Sequence, residues 1–102
     1  MKITEELIEK LAANGYIDDE RLIAAATDAD GAEYALCING ELVTLAAADG
    51  QKIMRDSIDR LCDLTVKSGL FKKTVCFANN GREFSLTVKG GKNVIEYFRM
   101  IG

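Results

Sequence analysis

Three turn-forming dipeptides, Asn39-Gly40, Asp49-Gly50 and Asn80-Gly81, divide much of this chain into short apolar segments. Such pairs favour two-residue type I′ hairpin turns, because both turn positions require a positive φ. The three predicted hairpins join 33–38 to 41–47, 41–47 to 51–56, and 74–78 to 82–88. Apolar residues alternate along these segments, as at Tyr34 and Leu36, which indicates strands with one buried face. The sequence therefore predicts a largely antiparallel β domain.

Helices are predicted at both ends of the sequence. The first, over 4–14, begins with Thr4, a favourable N-cap residue. The second, over 93–101, places Asn93 as N-cap with Glu96 three positions on, which is a capping-box arrangement. The apolar residues of this second helix share one stripe: Val94, Ile95, Phe98 and Ile101. A helix with a single apolar stripe needs a sheet to cover.

Further segments complete the predicted sheet. Residues 57–61 are interpreted as a short corner, and 62–67 as a strand that ends at the turn Ser68-Gly69. Residues 21–28 are ambiguous, because their alanines favour helix while their place before a hairpin array favours strand. A strand there gives up to seven strands, whereas a helix gives a helix–turn–helix over 4–26 beside a smaller sheet.

Six segments between residues 20 and 101 follow a recognisable order. They are a first strand at 20–25, second and third strands at 34–43, an isoleucine-led corner at 58–61, a lysine-glycine-leucine turn at 67–71, a last strand at 81–88 and the helix at 93–101. This order resembles that of bacterial pleckstrin-homology-like domains, which are related in shape to GRAM domains. The segment 58–69 is about two residues longer than the family pattern, which bears on strand register there.

The resemblance implies a specific architecture and domain organisation. It implies an α+β fold that is mainly β, in which an antiparallel barrel or two packed sheets of up to seven strands is capped by a C-terminal helix. That domain covers 21–102 as a single compact unit. Residues 1–20 then form an extra N-terminal helix and turn, whose role the sequence leaves open.

Composition and charge bound the class of protein. The chain has 102 residues, 48% hydrophobic and 28% charged, which suits one folded domain with a modest core. The sequence holds no apolar run long enough to span a membrane, and its first residues are acidic, so we expect a cytoplasmic protein. The net charge of −3 hides an asymmetry, because residues 1–50 carry three Lys/Arg against eleven Asp/Glu and residues 51–102 carry ten against five. Either the two halves meet, within or between molecules, or the basic half faces an anionic partner.

The sequence carries no pattern typical of an enzyme. Histidine is absent, which removes the commonest general base and metal ligand, and the phosphate-loop, nucleophile-elbow and Rossmann motifs are missing. The carboxylate pairs Asp18-Asp19 and Asp28-x-Asp30 are interpreted as surface charge. Residues 28–33 lack the ligands of a calcium loop and are interpreted as a hairpin turn. The cysteines are interpreted as reduced packing thiols in strands: Cys37, Cys62 and Cys76. We expect no catalytic residue, metal or cofactor.

Two charged regions bear on binding. The family resemblance implies a lipid-binding loop after the first strand, but here Asp28, Asp30 and Glu33 make that loop acidic, so phosphoinositide binding is not expected. A separate basic group is a candidate anionic contact: Lys67, Lys72, Lys73, Arg82, Lys89 and Lys92. Leu70 and Phe71 interrupt this group and are expected to fold inward.

The leading hypothesis is a non-catalytic interaction module. It would hold a peptide, or another copy of itself as a homo-oligomer, through a groove beside the terminal helix or through a strand edge. The alternative is peripheral binding to anionic lipid through the basic turn at 67–73. Nucleic acid is not expected as a partner.

Overall fold

The computed structural model describes residues 1–101 as one antiparallel sheet with two helices. The strands are β1 (Ile23–Thr27), β2 (Glu33–Asn39), β3 (Leu42–Ala47), β4 (Lys52–Ser57), β5 (Cys62–Ser68), β6 (Lys73–Asn79) and β7 (Arg82–Lys89). The helices are α1 (Glu5–Ala13) and α2 (Lys92–Ile101), and short 3₁₀ helices, Glu20–Leu22 and Ile58–Arg60, precede β1 and β5. The mainly β prediction is confirmed, and residues 23–27 are a strand, not a helix.

The strands pair in the order β4-β3-β2-β1-β7-β6-β5, so β4 and β5 are the two edges. Both edges are irregular, since the register shifts between Leu45 and Ala46 against β4 and between Cys62 and Thr65 in β5. The second shift falls inside the segment 58–69 that is longer than the family pattern, and Asp63 adopts a φ of 55° there. Bulged edges resist pairing with another strand, which weakens the strand-edge version of self-association.

Only one of the predicted hairpin turns is of the expected type. Asn80 and Gly81 both have positive φ, 51° and 80°, as a type I′ turn requires. The turn between β2 and β3 lies one residue later than predicted, because Asn39 pairs with Leu42 and leaves Gly40 and Glu41 in the turn. Of these two residues only Gly40 has a positive φ, 60°, which is the pattern of a type II′ turn.

The connection between β3 and β4 is longer than a two-residue turn. The amide of Gly50 donates to the carbonyl of Ala47 at 2.9 Å, and the amide of Ala47 donates to the carbonyl of Gln51 at 2.7 Å. Three residues therefore lie between these closing positions, with Gly50 at φ 92°. This is a type I turn followed by a left-handed glycine, and the type I′ prediction is wrong here.

The predicted start is right for α1 and wrong for α2. The Thr4 hydroxyl oxygen accepts the Leu7 amide at 3.2 Å, as an N-cap does. In contrast, α2 already begins at Lys92, so Asn93 lies inside the first turn and the capping box does not form. The first helical bond runs from the Ile95 amide to the Gly91 carbonyl at 3.0 Å. Gly91, at φ 60° against β1, therefore precedes the helix where Asn93 was expected to, and the helix begins two residues earlier than a cap at Asn93 implies.

Two apolar clusters hold the structure together. The main core joins inward side chains of both halves of the sheet, such as Leu36 and Phe77, to Phe98 of α2. The other face of β1, β2 and β3 is covered by α1, through Leu7 and Leu11. The first helix, whose role the sequence left open, thus covers the outer face of half the sheet. Among residues 1–101, no helix combines the length and the apolar character needed to cross a bilayer.

Candidate functional site

The turn between β5 and β6 projects beyond the sheet. Ser68 pairs with Lys73, and the Gly69 amide donates to the Lys72 carbonyl at 2.8 Å. This leaves Leu70 and Phe71 as the two central residues of the turn, which we call the hairpin tip (residues 69–72). Leu70 is 94% exposed and Phe71 is 95% exposed, so the expectation that they fold inward is wrong. Strand pairing continues almost to the tip and carries both side chains past the reach of the core.

The residues at the tip are unusual for a tight turn. The turn between β6 and β7 uses Asn80 and Gly81, which tolerate positive φ, whereas Leu70 and Phe71 are neither turn formers nor buried. Large apolar residues that neighbour each other and are almost fully exposed have no role in holding this fold together. Such patches mark sites of contact with a partner or a membrane.

Lysines surround the hairpin tip. Lys73 pairs with Val88, so the start of β6 lies beside the end of β7 and the β7–α2 junction. The tip, this junction and the first residue of α2 line an open depression of about 960 Å³. Its charged residues, which we call the lysine depression, are Lys72, Lys73, Lys89 and Lys92. Among the described residues that line it there is no carboxylate to neutralise these ammonium groups.

The remaining members of the predicted basic group lie elsewhere. Lys67 is exposed on β5, opposite Thr74, close to the tip but outside the lining of the depression. Arg82 begins β7, opposite Asn79, and is therefore at the other end of the β6–β7 hairpin. Its guanidinium carbon lies 4.9 Å from the centroid of the Phe84 ring. Arg82 was predicted to share one anionic contact with the lysines, but the structure does not bring it together with them.

The end of the sheet that holds Arg82 is mostly acidic. An open depression of about 560 Å³ is lined there by Asp28, Asp30, Asp63 and Glu83, together with Tyr34, Phe84 and Arg82. We call it the acidic crevice. The two charged regions predicted from the sequence thus lie at opposite ends of the β6–β7 hairpin. Within residues 1–101, no group of three or more acidic or cysteine side chains is placed to hold a metal ion.

Asp28 organises the acidic loop between β1 and β2. Its Oδ1 accepts the amides of Asp30 and Ala32, each at 2.9 Å, and its Oδ2 accepts the Tyr34 hydroxyl at 2.9 Å. The bond from Tyr34 is the largest cause that lowers the pKa of Asp28, and the same bond raises the pKa of Tyr34. These hydrogen bonds favour the charged carboxylate, which in turn holds the loop in its conformation. The interpretation of residues 28–33 as a hairpin turn is confirmed.

The cysteines differ in their surroundings. Cys37 is buried beneath α1, and burial raises the pKa of its thiol to about 12. Cys62 is exposed and Cys76 is partly exposed, and among residues 1–101 the three form no disulfide. A thiol that stays protonated inside an apolar cluster contributes packing, not chemistry.

The fold and the hairpin tip together define a small antiparallel β domain that presents an apolar tip beside a lysine-lined depression. Comparisons with protein-family models, with curated proteins and with solved structures find no match for this chain. The inference of function therefore depends on the geometry of the chain itself.

Proposed function

We propose that this domain is a non-catalytic module that attaches to an anionic membrane surface through its hairpin tip. The observation that carries the proposal is the near-complete exposure of Leu70 and Phe71 beside four lysines. Proteins that lie on a membrane combine apolar side chains that enter the acyl boundary with basic residues that face anionic headgroups. A protruding two-residue turn is a compact form of that arrangement.

The energies of the two components are comparable. Full burial of a Leu or Phe side chain is worth roughly 1.5–3 kcal/mol, so the tip supplies at most about 3–6 kcal/mol. A lysine near an anionic leaflet contributes about 1 kcal/mol, and the depression holds four. Neither component alone gives firm attachment, and stable anchoring generally needs two such signals.

Vesicle co-sedimentation tests the proposal. We expect binding to phosphatidylcholine vesicles that contain phosphatidylserine, weakening with salt, and little binding to phosphatidylcholine alone. A double variant, Leu70→Ser with Phe71→Ser, should lose about 100-fold or more in affinity while folding normally, because both side chains are exposed. The matched control is Met100→Ser on α2, since Met100 is 84% exposed and lies outside the depression.

The proposal fails on either of two results. If the wild type does not sediment with anionic vesicles at low salt, the domain does not bind membranes in this way. If the double variant and Met100→Ser bind as the wild type does, the tip is not the contact.

We also propose that the fold is pleckstrin-homology-like. Four strands, a corner at Ile58–Arg60, three more strands and a closing helix follow the order described for that family. Eukaryotic pleckstrin-homology domains hold inositol phosphates with basic residues on the first two strands and their loop, and in this chain that loop contains Asp28 and Asp30. The contact proposed here uses the β5–β6 turn instead, so it is not the lipid site that the resemblance implies.

Head-to-tail self-association is the second candidate, and the acidic crevice favours it. In this arrangement the hairpin tip of one copy enters the crevice of the next, which offers carboxylates to the lysines and the rings of Tyr34 and Phe84 to Phe71. The groove beside α2 is a weaker candidate contact, because Val94, Ile95 and Phe98 already fill it.

Sedimentation equilibrium separates this candidate from membrane attachment. Self-association predicts an apparent mass that rises with protein concentration and falls with salt. The substitution Asp30→Asn, at an exposed position of the crevice, should reduce this mass. The same substitution should leave vesicle binding unchanged. A constant monomer mass up to millimolar protein at low salt would exclude head-to-tail association.

A further inference from the structure

We propose that the lysine depression binds the phosphate group of a lipid headgroup, an inference that rests on the proposed membrane attachment. A diffuse basic patch attracts anionic lipid over its whole area, whereas a basic depression focuses the electrostatic field on one place. Here four lysine residues line one open depression beside the tip, and no carboxylate is present among its described lining residues. This makes the depression a site for one multiply charged anion.

The junction between β7 and α2 adds polar backbone to this site. Gly90 and Gly91 line the depression without side chains, and α2 begins directly after them. The first turn of α2 contains no acidic residue, in contrast to the first turn of α1, which carries Glu5 and Glu6. The amides at the start of a helix without a neighbouring carboxylate favour an anion, and they reinforce the lysines.

The hairpin tip fixes the height of the depression above the bilayer. Leu70 and Phe71 line the same depression as the lysines, so their entry into the acyl boundary brings the ammonium groups to the headgroups. Interfacial segments bury their apolar side chains by about 5–10 Å. The phosphate is the part of a phospholipid that lies at this level.

The chemistry selects a phosphomonoester over a phosphodiester. A phosphomonoester carries about −1.5 to −2 charges and three acceptor oxygens, whereas a phosphodiester carries a single charge. Each lysine ammonium offers three donors, so several lysines around one depression match the more highly charged group. We therefore expect a lipid with a terminal phosphate to bind more tightly than phosphatidylserine at equal surface charge.

The test compares two kinds of vesicle and one soluble probe. Vesicles of phosphatidic acid and of phosphatidylserine, each in phosphatidylcholine, are adjusted to the same surface potential, and glycerol 3-phosphate is titrated in solution by NMR. The wild type should prefer phosphatidic acid by about fivefold or more, since one lysine contact is worth that factor. A Lys89→Gln with Lys92→Gln variant should lose the preference but still bind both vesicles, and Lys52→Gln on β4 serves as the matched control.

Each outcome bears differently on the two proposals. Equal wild-type affinity for the two vesicles overturns the phosphate site and leaves membrane attachment in place. Shifts of the Lys89 and Lys92 amides with glycerol 3-phosphate, without vesicle binding, overturn attachment and with it the lipid headgroup as the source of the phosphate. A preference that survives the double lysine variant overturns the assignment of the phosphate to this depression.

Discussion

Gly91→Ala should strongly lower the free energy of unfolding, because the added methyl group has no room. A Cβ built there lies 2.3 Å from the Ala24 Cβ, far inside the 3.5–4.0 Å at which carbon atoms attract. Overpacking of this kind costs about 1–3 kcal/mol, and an alanine at φ 60° adds roughly 1–2 kcal/mol. Gly91→Ala should therefore lower the free energy of unfolding by about 2–5 kcal/mol, measured by urea denaturation followed by circular dichroism.

Gly90→Ala provides the matched control. Gly90 has nearly the same φ, 63°, but an added Cβ meets nothing within 4 Å, so only the cost of the backbone conformation applies. Its loss should be about 1–2 kcal/mol. Ala24→Gly removes the clashing methyl, and the pair should show a favourable coupling energy of about 1–3 kcal/mol in a double-mutant cycle. Equal losses in Gly90→Ala and Gly91→Ala, or no coupling to Ala24, would refute the close packing of the β7–α2 junction on β1.

Two further substitutions test polar groups. Tyr34→Phe removes the main cause that lowers the pKa of Asp28, so that pKa should rise in an NMR titration while the pKa of Asp19, held down by Arg21, stays unchanged. A group whose pKa is lowered in the folded state stabilises the fold at pH values above its unfolded-state pKa, and this stabilisation is lost as the pH falls through its folded-state pKa. Tyr34→Phe should therefore lower the free energy of unfolding more at neutral pH than in acid. The Thr44 hydroxyl is buried and has no hydrogen-bond partner among residues 1–101, so Thr44→Val should raise the free energy of unfolding by about 1–3 kcal/mol. A loss of stability in Thr44→Val would show that the hydroxyl has a partner such as a buried water.

The existence of the hairpins could be predicted from the sequence, but not their register. Turn residues act through their own φ preferences, so Asn80-Gly81 marks its turn correctly from two residues alone. Around Gly40 the register is set by pairs on the buried face of the hairpin, such as Leu36 with Leu45, and not by the turn residues alone. The turn therefore forms one residue later than the dipeptide indicates.

The lysines of the site could be predicted, whereas the exposure of the tip could not. Charge is visible in the sequence, and four of the six predicted basic residues line one depression. The exposure of Leu70 and Phe71 depends on how far the pairing of β5 with β6 extends, which no local pattern shows. The sequence does carry one signal for this exposure. Leu70 and Phe71 lie in the turn between two predicted strands, although neither is a residue type that favours turns.

The proposed attachment requires that a chain with a net charge of −3 approach an anionic surface, and a separation of charge along β7 would allow it. Glu83 and Lys89 are six residues apart on this strand, or about 20 Å, which is well beyond the Debye length of about 8 Å at physiological salt. Asp28 is closer to the lysines, because it directly follows Thr27, the partner of Thr87 on β7. Salt therefore screens the lysines from Glu83 more than from Asp28, whose carboxylate already accepts two backbone amides and the Tyr34 hydroxyl. If the domain attaches as proposed, an anionic surface would attract the lysine depression and repel the more distant carboxylates of the acidic crevice, and this would turn the hairpin tip toward the bilayer.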